Sequence, residues 1–352
     1  MKHTFSYFLF FAWMIVLTTH TQAASFDCGA SNVTRDIDRF VCRNSVISAL
    51  DEQMGTIYQE NYRQLSPVNR GTYLNSQRQW LSYWPQACLR TYDAKQGHYQ
   101  SEEFAQCAKY EYERRIKELP IRVIRKNWKV FSVARYSNTT ADIQAVPECV
   151  KKVQHQLIYP QIELEGLSAD DQRRAQLINQ WIVTQYKKVG SSQKTALNEN
   201  DMDTFLWLKL EDSGSDVMSL ESIYYFNSFG AHGNSALSHS HWSISKGREL
   251  MTSDVLQGAW PSWVANEVYQ GLLKNVPDMI LVNSPKEVLP SIQRIDHWNF
   301  YQEGLEFTFS PYEVAAYAAG MPSVLIPWTK LRTYLTEDTK SIIPSMKKPY
   351  EH

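Results

Sequence analysis

The chain has 352 residues, 43% of them hydrophobic, enough for one large core or two modest ones. Its 36 Lys and Arg nearly balance 37 Asp and Glu, which argues against nucleic acid or an anionic membrane as the main partner. Eleven Trp and twenty Tyr are many for this length, and such rings serve cores first and recognition surfaces second.

Residues 1–23 read as a signal peptide. Lys2 and His3 precede an almost wholly apolar run from Phe5 to Leu17, and Thr21-Gln22-Ala23 places small residues for a cut after Ala23. The run is short for a bilayer span, and Phe26-Asp27 before Cys28 is unlike a lipobox. The mature chain is therefore expected in the periplasm or outside the cell, with no integral membrane segment after cleavage.

Residues 24–119 read as a helical domain. Val46, Ile47, Leu50, Met54, Ile57 and Tyr58 give helical spacing over Asp36 to Leu65. A second helix is expected from Tyr73 to Leu89, after Pro67, and a third from a Ser101 cap to Leu119. In an oxidising compartment Cys28, Cys42, Cys88 and Cys107 read as two staples. Three pairings are possible. Three antiparallel helices would bring Cys42 and Cys88 to adjacent ends, which favours Cys42–Cys88 with Cys28–Cys107. Cys149 stands apart and reads as a buried structural thiol.

Residues 120–144 read as a connecting strand or linker, with Ile121 to Ala134 as a strand or strand pair, and residues 145–340 as a second domain. There, a strand ends at Tyr159-Pro160, a helix capped by Ser168 runs to Lys188, and Thr204 to Leu210 alternates as a strand. Tyr224-Tyr225-Phe226 enters a turn at Gly230-Ala231-His232-Gly233-Asn234, where both glycines can take positive φ, and the chain returns as a strand to Ser245. Pro261 to Val276 is an amphipathic helix. Two short strands flank Gln302-Glu303-Gly304, a small helix is expected between Ser310 and Gly320, and Ser323 to Trp328 is a last strand. The expected class is α+β: a disulfide-stapled three-helix unit, then an α+β domain with a mostly antiparallel sheet.

Two resemblances follow from ordered motifs. Phe26-Asp27-Cys28, Asp38 to Cys42, Ser48-Ala49-Leu50-Asp51, Gln77-Arg78-Gln79-Trp80-Leu81 and the Cys88/Cys107 pair resemble the LprI-type lysozyme-inhibitor domain. That family commonly carries an arginine and a small acidic residue just before its third cysteine; here the approach is Tyr83-Trp84-Pro85-Gln86-Ala87. Over about 145–335, Tyr159-Pro160-Gln161-Ile162, the Gly230 to Asn234 turn, Gly247-Arg248-Glu249-Leu250 with Asp254, and Gly304 to Val314 resemble the RsiV-type C-terminal domain. That module occurs in bacterial extracytoplasmic proteins, including a lysozyme-sensing anti-sigma factor and some cell-wall deacetylases. The resemblances imply a cell-envelope binding protein whose partner is lysozyme or another cell-wall-acting protein.

Chemistry is harder to find. His232, His239, His241 and Asp254 form the one cluster suited to metal or acid–base work, but no diagnostic ligand spacing accompanies them. The preferred reading has His232 bonded to backbone within the turn, and His239 and His241 on a half-exposed strand face. No Gly-x-Ser-x-Gly elbow, phosphate loop or dinucleotide fingerprint occurs. The expectation is a non-enzyme with no catalytic residues, metal or cofactor, and with Tyr225, His232 and Asn234 as candidate binding residues. The alternative is a peptidoglycan-acting hydrolase, or an accessory to one, centred on His232.

Overall fold

The computed structural model describes residues 25–30, 33–89, 101–125, 127–142, 144, 150, 152–194, 201–212 and 216–339. Residues 1–23, read above as a signal peptide, and Cys149 lie outside them. Four helices come first: α1 (Asp36–Arg43), α2 (Ser45–Gln64), α3 (Pro67–Leu89) and α4 (Glu102–Glu118). The helix expected over Asp36 to Leu65 is thus broken in two. Asn44 adopts an extended conformation and its side chain accepts from Ile47 N–H at 3.1 Å, starting α2 afresh. Ser101 caps α4 as expected, accepting from Phe104 N–H at 3.1 Å.

A seven-stranded sheet follows, in the order β1 (Arg122–Ile124), β2 (Trp128–Thr140), β3 (Lys152–Ile162), β4 (Asp203–Asp212), β5 (Val217–Asn227), β6 (Asn234–Ser243) and β7 (Arg248–Glu249). Residues read as a connecting strand or linker therefore supply two of its strands. All pairings are antiparallel except β3 with β4, which α5 (Ala169–Lys194) joins by a crossover. The helix capped by Ser168 thus runs six residues past the expected end at Lys188.

Beyond the sheet come α6 (Thr252–Val255), α7 (Trp260–Asn275), α8 (Pro285–Ile292), β8 (Trp298–Phe300), β9 (Gly304–Thr308), β10 (Ser323–Pro327) and α9 (Trp328–Leu331). Strands β8 to β10 form a separate antiparallel sheet. The helix expected after Ser310-Pro311 is instead a turn, and only Tyr317–Ala319 is helical, as a single 3-10 turn ended by Gly320 at φ 66°.

Alternation decides the layers. On β3 and β4, Gln154, Gln156, Asp203, Phe205 and Trp207 share one face, and α3 and α4 pack over its β2–β3 side. Helix α5 covers the opposite face: Trp181 packs on Trp242 at 5.7 Å and Tyr186 on Tyr159 at 4.9 Å between centroids. The four helices and the large sheet share one core, in which Trp80 meets Tyr112 edge-on at 5.0 Å and Tyr73 meets Phe131 at 6.2 Å. A second core gathers α7, α8 and the small sheet around Trp260, Trp298 and Phe307.

Helix α3 also runs along the edge of β2 that β1 leaves uncovered. Ser76 Oγ accepts from Ala134 N–H and Gln79 Oε1 from Tyr136 N–H, both at 3.1 Å. Asn138 Nδ2 donates to Tyr83 O at 3.3 Å. Alternate backbone donors that would face solvent at a sheet edge are satisfied by helix side chains instead.

Candidate binding surfaces

The three candidate binding residues, Tyr225, His232 and Asn234, all lie at the β5–β6 tip, and the structure separates their directions. The His232 ring stacks on Tyr317 at 4.0 Å, with Tyr312 at 6.4 Å. Its Nδ1 lies 2.9 Å from Gly233 O and its Nε2 3.3 Å from the Tyr312 hydroxyl, which bears out the backbone bond expected within the turn. Tyr317 hydroxyl donates to the same Gly233 carbonyl at 2.9 Å. Tyr225 points elsewhere. It stacks on Phe205, at 5.6 Å, and lies so close to Gly233 that a Cβ there would sit 2.2 Å from its hydroxyl. Gly233 is thus required by close approach rather than by φ; the positive φ in this loop belongs to Phe229, at 61°. Asn234 opens β6 opposite Phe226.

His239 and His241 correct the sequence reading. They are buried, at 3% and 0% exposure, not half-exposed, because the 295–297 turn and β8 cover that face of β6. Their rings lie parallel at 6.3 Å. His241 Nε2 meets Trp298 O and Nδ1 meets Ser219 Oγ, each at 2.9 Å, an arrangement suited to a neutral ring that donates once and accepts once. Burial pushes their pKa values down, to about 4 for His239 and about 3 for His241. His297, beside them, behaves oppositely. Burial alone would lower its pKa, but hydrogen bonds to Asp296 at 3.0 Å and Glu313 at 2.6 Å prevail and raise it to about 9. Glu313 also accepts from Ser291 Oγ and Ser310 N–H, so one imidazolium helps fix the turn that carries Tyr312. Asp254 serves as an anchor: Arg248 binds it through two nitrogens, with Lys246 and Met251 N–H adding donors, and its pKa is depressed chiefly by Arg248. Among the described residues no group of three or more His, Cys, Asp or Glu could hold a metal ion.

The disulfides also differ from expectation. They join Cys28 to Cys42 and Cys88 to Cys107, with Cα separations of 5.7 and 5.6 Å, in place of the expected Cys28–Cys107 and Cys42–Cys88. The expected pairing assumed one continuous first helix. The break at Asn44 makes α1 a separate short helix, and the N-terminal strap folds back onto it to meet Cys42. Ser25 of the strap donates through its N–H and hydroxyl to the buried Asp51, which also accepts from Tyr112 hydroxyl at 3.0 Å. Gly55 admits the strap, since a Cβ there would lie 2.7 Å from Ser25 Cβ. Strap, α1 and α3 enclose an open groove of about 930 Å³ lined by Phe26, Asp38, Arg78, Leu81 and Trp84 among others.

A second opening, of about 260 Å³, lies where α4 meets the middle of the large sheet. Trp207, Phe205 and Tyr225 line it, with 5.6 Å between successive ring centroids. The wall on the α4 side holds Glu111 and Arg114, paired at 2.6 Å. Arg114 is further bound by Glu118 at 3.0 Å and donates to Gln156, while Tyr83 hydroxyl bridges Gln154 and Gln156. Sequence reasoning missed this opening. The alternation of Phe205 and Trp207 was visible, but α4 as their neighbour was not.

Residues 28–119 match the family described as lysozyme inhibitor LprI. A second family, described as a protein of unknown function (DUF3298), matches residues 270–329. No curated protein sequence matches the chain. Two solved structures are similar at low identity. A member of the DUF3298 family from Bacteroides fragilis is 10% identical, with a TM-score of 0.40, over 61% of this chain and 96% of that one. A DUF3298 family protein from Pseudomonas aeruginosa is 13% identical, with a TM-score of 0.43, over 63% of this chain and 97% of that one. The LprI match spans α1 to α4 and both disulfides. The DUF3298 match runs from the last turns of α7 through β10 and so lies in the second core. Neither family bears the name of an enzyme, and no described helix is long and apolar enough to cross a membrane.

Proposed function

We propose that this chain is a non-catalytic binding protein of the bacterial cell envelope and that its helical unit inhibits a lysozyme. The observation that carries this reading is the lysozyme-inhibitor match over 28–119, the stretch closed by both disulfides and seated on the sheet. Two crosslinks within about eighty residues accord with an exported protein, as does the apolar segment at 1–23. A stapled helical unit presents its side chains already ordered, so little conformational entropy is lost on binding. The groove beneath the N-terminal strap, with the half-buried Phe26 and exposed Leu81 beside Asp38 and Arg78, offers the mixed apolar and charged anchors on which protein interfaces rest. The C-terminal region is assigned, on its motifs, to an RsiV-type module that scaffolds the inhibitor.

A peptidoglycan hydrolase centred on His232 has less support. That ring is stacked on Tyr317, and its nitrogens meet a backbone carbonyl and a tyrosine hydroxyl. The test is lysis of cell-wall suspensions by a panel of lysozymes in the presence of the purified mature chain. Stoichiometric inhibition of at least one is expected; unchanged lysis by all of them at excess protein refutes the reading.

A further inference from the structure

On one face of the large sheet, the helical unit covers the β2–β3 side and the small sheet covers β6. The centre of β4 and β5 is left as the floor of the cleft described above. Three half-buried rings make that floor. Phe205 and Trp207 stand two residues apart on one strand, and Tyr225 is directly opposite Phe205 on the next. The rings pack on one another, Tyr225 stacked on Phe205 and Trp207 tilted against it, and so form a pre-ordered apolar floor at little cost in side-chain freedom.

The walls narrow the choice of ligand. Arg114 is the one cation among the described lining residues, and Glu111 and Glu118 already neutralise it. The cleft therefore offers no uncompensated positive charge to a phosphate or carboxylate. Of its other polar groups, Gln154, Gln156 and Asp203 are buried and bonded within the wall. Gln154 is bonded to Tyr83 and Ala87 O, Gln156 to Tyr83 and Arg114, and Asp203 to Gln154 N–H, which leaves Asn227 and Tyr110 toward the opening. Asn227 uses Oδ1 to accept from Phe229 N–H at 2.9 Å, which leaves its amide N–H donors for a ligand at the rim. Uncharged rings with apolar faces and hydroxyl-bearing edges match both features, since the faces pack on aromatics while a hydroxyl meets the Asn227 amide. A cavity of about 260 Å³ suits a short chain end, not a folded partner. From the aromatic floor and the charge-compensated wall we infer that this cleft binds a short neutral saccharide, with a pyranose ring packed on the Phe205–Trp207–Tyr225 floor. This site is separate from the strap groove proposed to meet lysozyme, and lysozyme inhibition has no part in its test.

Isothermal titration of the full mature chain with chitotetraose and with cellotetraose tests the inference. Saturable binding of at least one is expected, weakened tenfold or more in Trp207→Ala and in Phe205→Ala, and unchanged in Trp263→Ala, whose ring packs on Tyr334 in the second core. If removal of a floor ring unfolds the protein, Asn227→Ala keeps the inference testable. It leaves all three rings in place and is expected to weaken binding several-fold. Absence of binding to both oligosaccharides overturns the inference. Affinity unchanged in Asn227→Ala and in whichever floor variants fold does so equally.

Discussion

Acid should loosen the seam between the two cores, and His241 allows the effect to be isolated. The group is neutral in the fold, with its pKa lowered from 6.5 to about 3, whereas the unfolded chain takes up a proton near 6.5. The unfolded state thus binds more protons at low pH, so stability falls as pH drops below 6.5 and keeps falling until the folded pKa is reached. At about pH 5, some 1.5 pH units below the unfolded value, the loss at roughly 1.4 kcal/mol per unit is about 2 kcal/mol. His239, lowered to about 4, should add a similar amount. Glu221 lies 3.9 Å from His239 Nε2. Asp296 and Glu211 favour the charged form of His239 while His297 opposes it, and at His241 Asp296 favours the charged form while His239 opposes it. Urea unfolding followed across pH in the native chain and in His241→Gln separates this residue from the carboxylates, which titrate in both. The glutamine amide can still donate to Trp298 O, so the variant should fold. The gap between the two curves should narrow by about 2 kcal/mol between neutral pH and about pH 5, as the native chain loses stability faster. Parallel curves would refute the claim that His241 is held neutral.

His297 carries the opposite sign. Its contribution, from a pKa raised to about 9, is fully present below 6.5 and lost as pH rises toward 9, so His297→Gln should cost least in alkaline buffer; urea midpoints across pH will show it. Each disulfide closes a short loop, of separation 14 or 19, worth about 3 kcal/mol in the chain-entropy account, so either Cys→Ser pair should lower the unfolding free energy by about that amount. Non-reducing peptide mapping should recover Cys28 linked to Cys42. Ser76→Ala leaves the buried Ala134 N–H without its acceptor and should cost about 1–3 kcal/mol, read from urea midpoints. Gly304→Ala would place a Cβ 2.2 Å from Ile326 O, a backbone atom that cannot swing away; a loss of about 1–3 kcal/mol or more is expected, measured by thermal melting.

Local signals were legible in the sequence. Ser101 and Ser168 marked caps, and alternation found β4 and the β5–β6 hairpin, whereas the second helix, expected from Tyr73, begins at Pro67. What escaped depended on neighbours far along the chain. Arg43-Asn44-Ser45 carried a cap signal that the apolar stripe on either side concealed, and the disulfide pairing failed with it. The His-x-His alternation gave the correct strand face, but nothing local disclosed that the turn after Arg294 would cover it. The positive φ expected at Gly230 and Gly233 is found at neither; Gly233 is needed because the Tyr225 ring lies against it, and Gly230 has open space around it. Around His232 the hairpin itself was legible, while Tyr312 and Tyr317 were not: they reach its ring from about eighty residues downstream.

The seating of α3 along β2 bears on how this molecule would fail. A long strand with unsatisfied donors is a template for foreign strands, and here a crosslinked helix occupies it. Reducing the Cys88–Cys107 bond frees the far end of that helix, so the earliest sign of reductive damage should be strand-to-strand polymerisation of otherwise intact molecules.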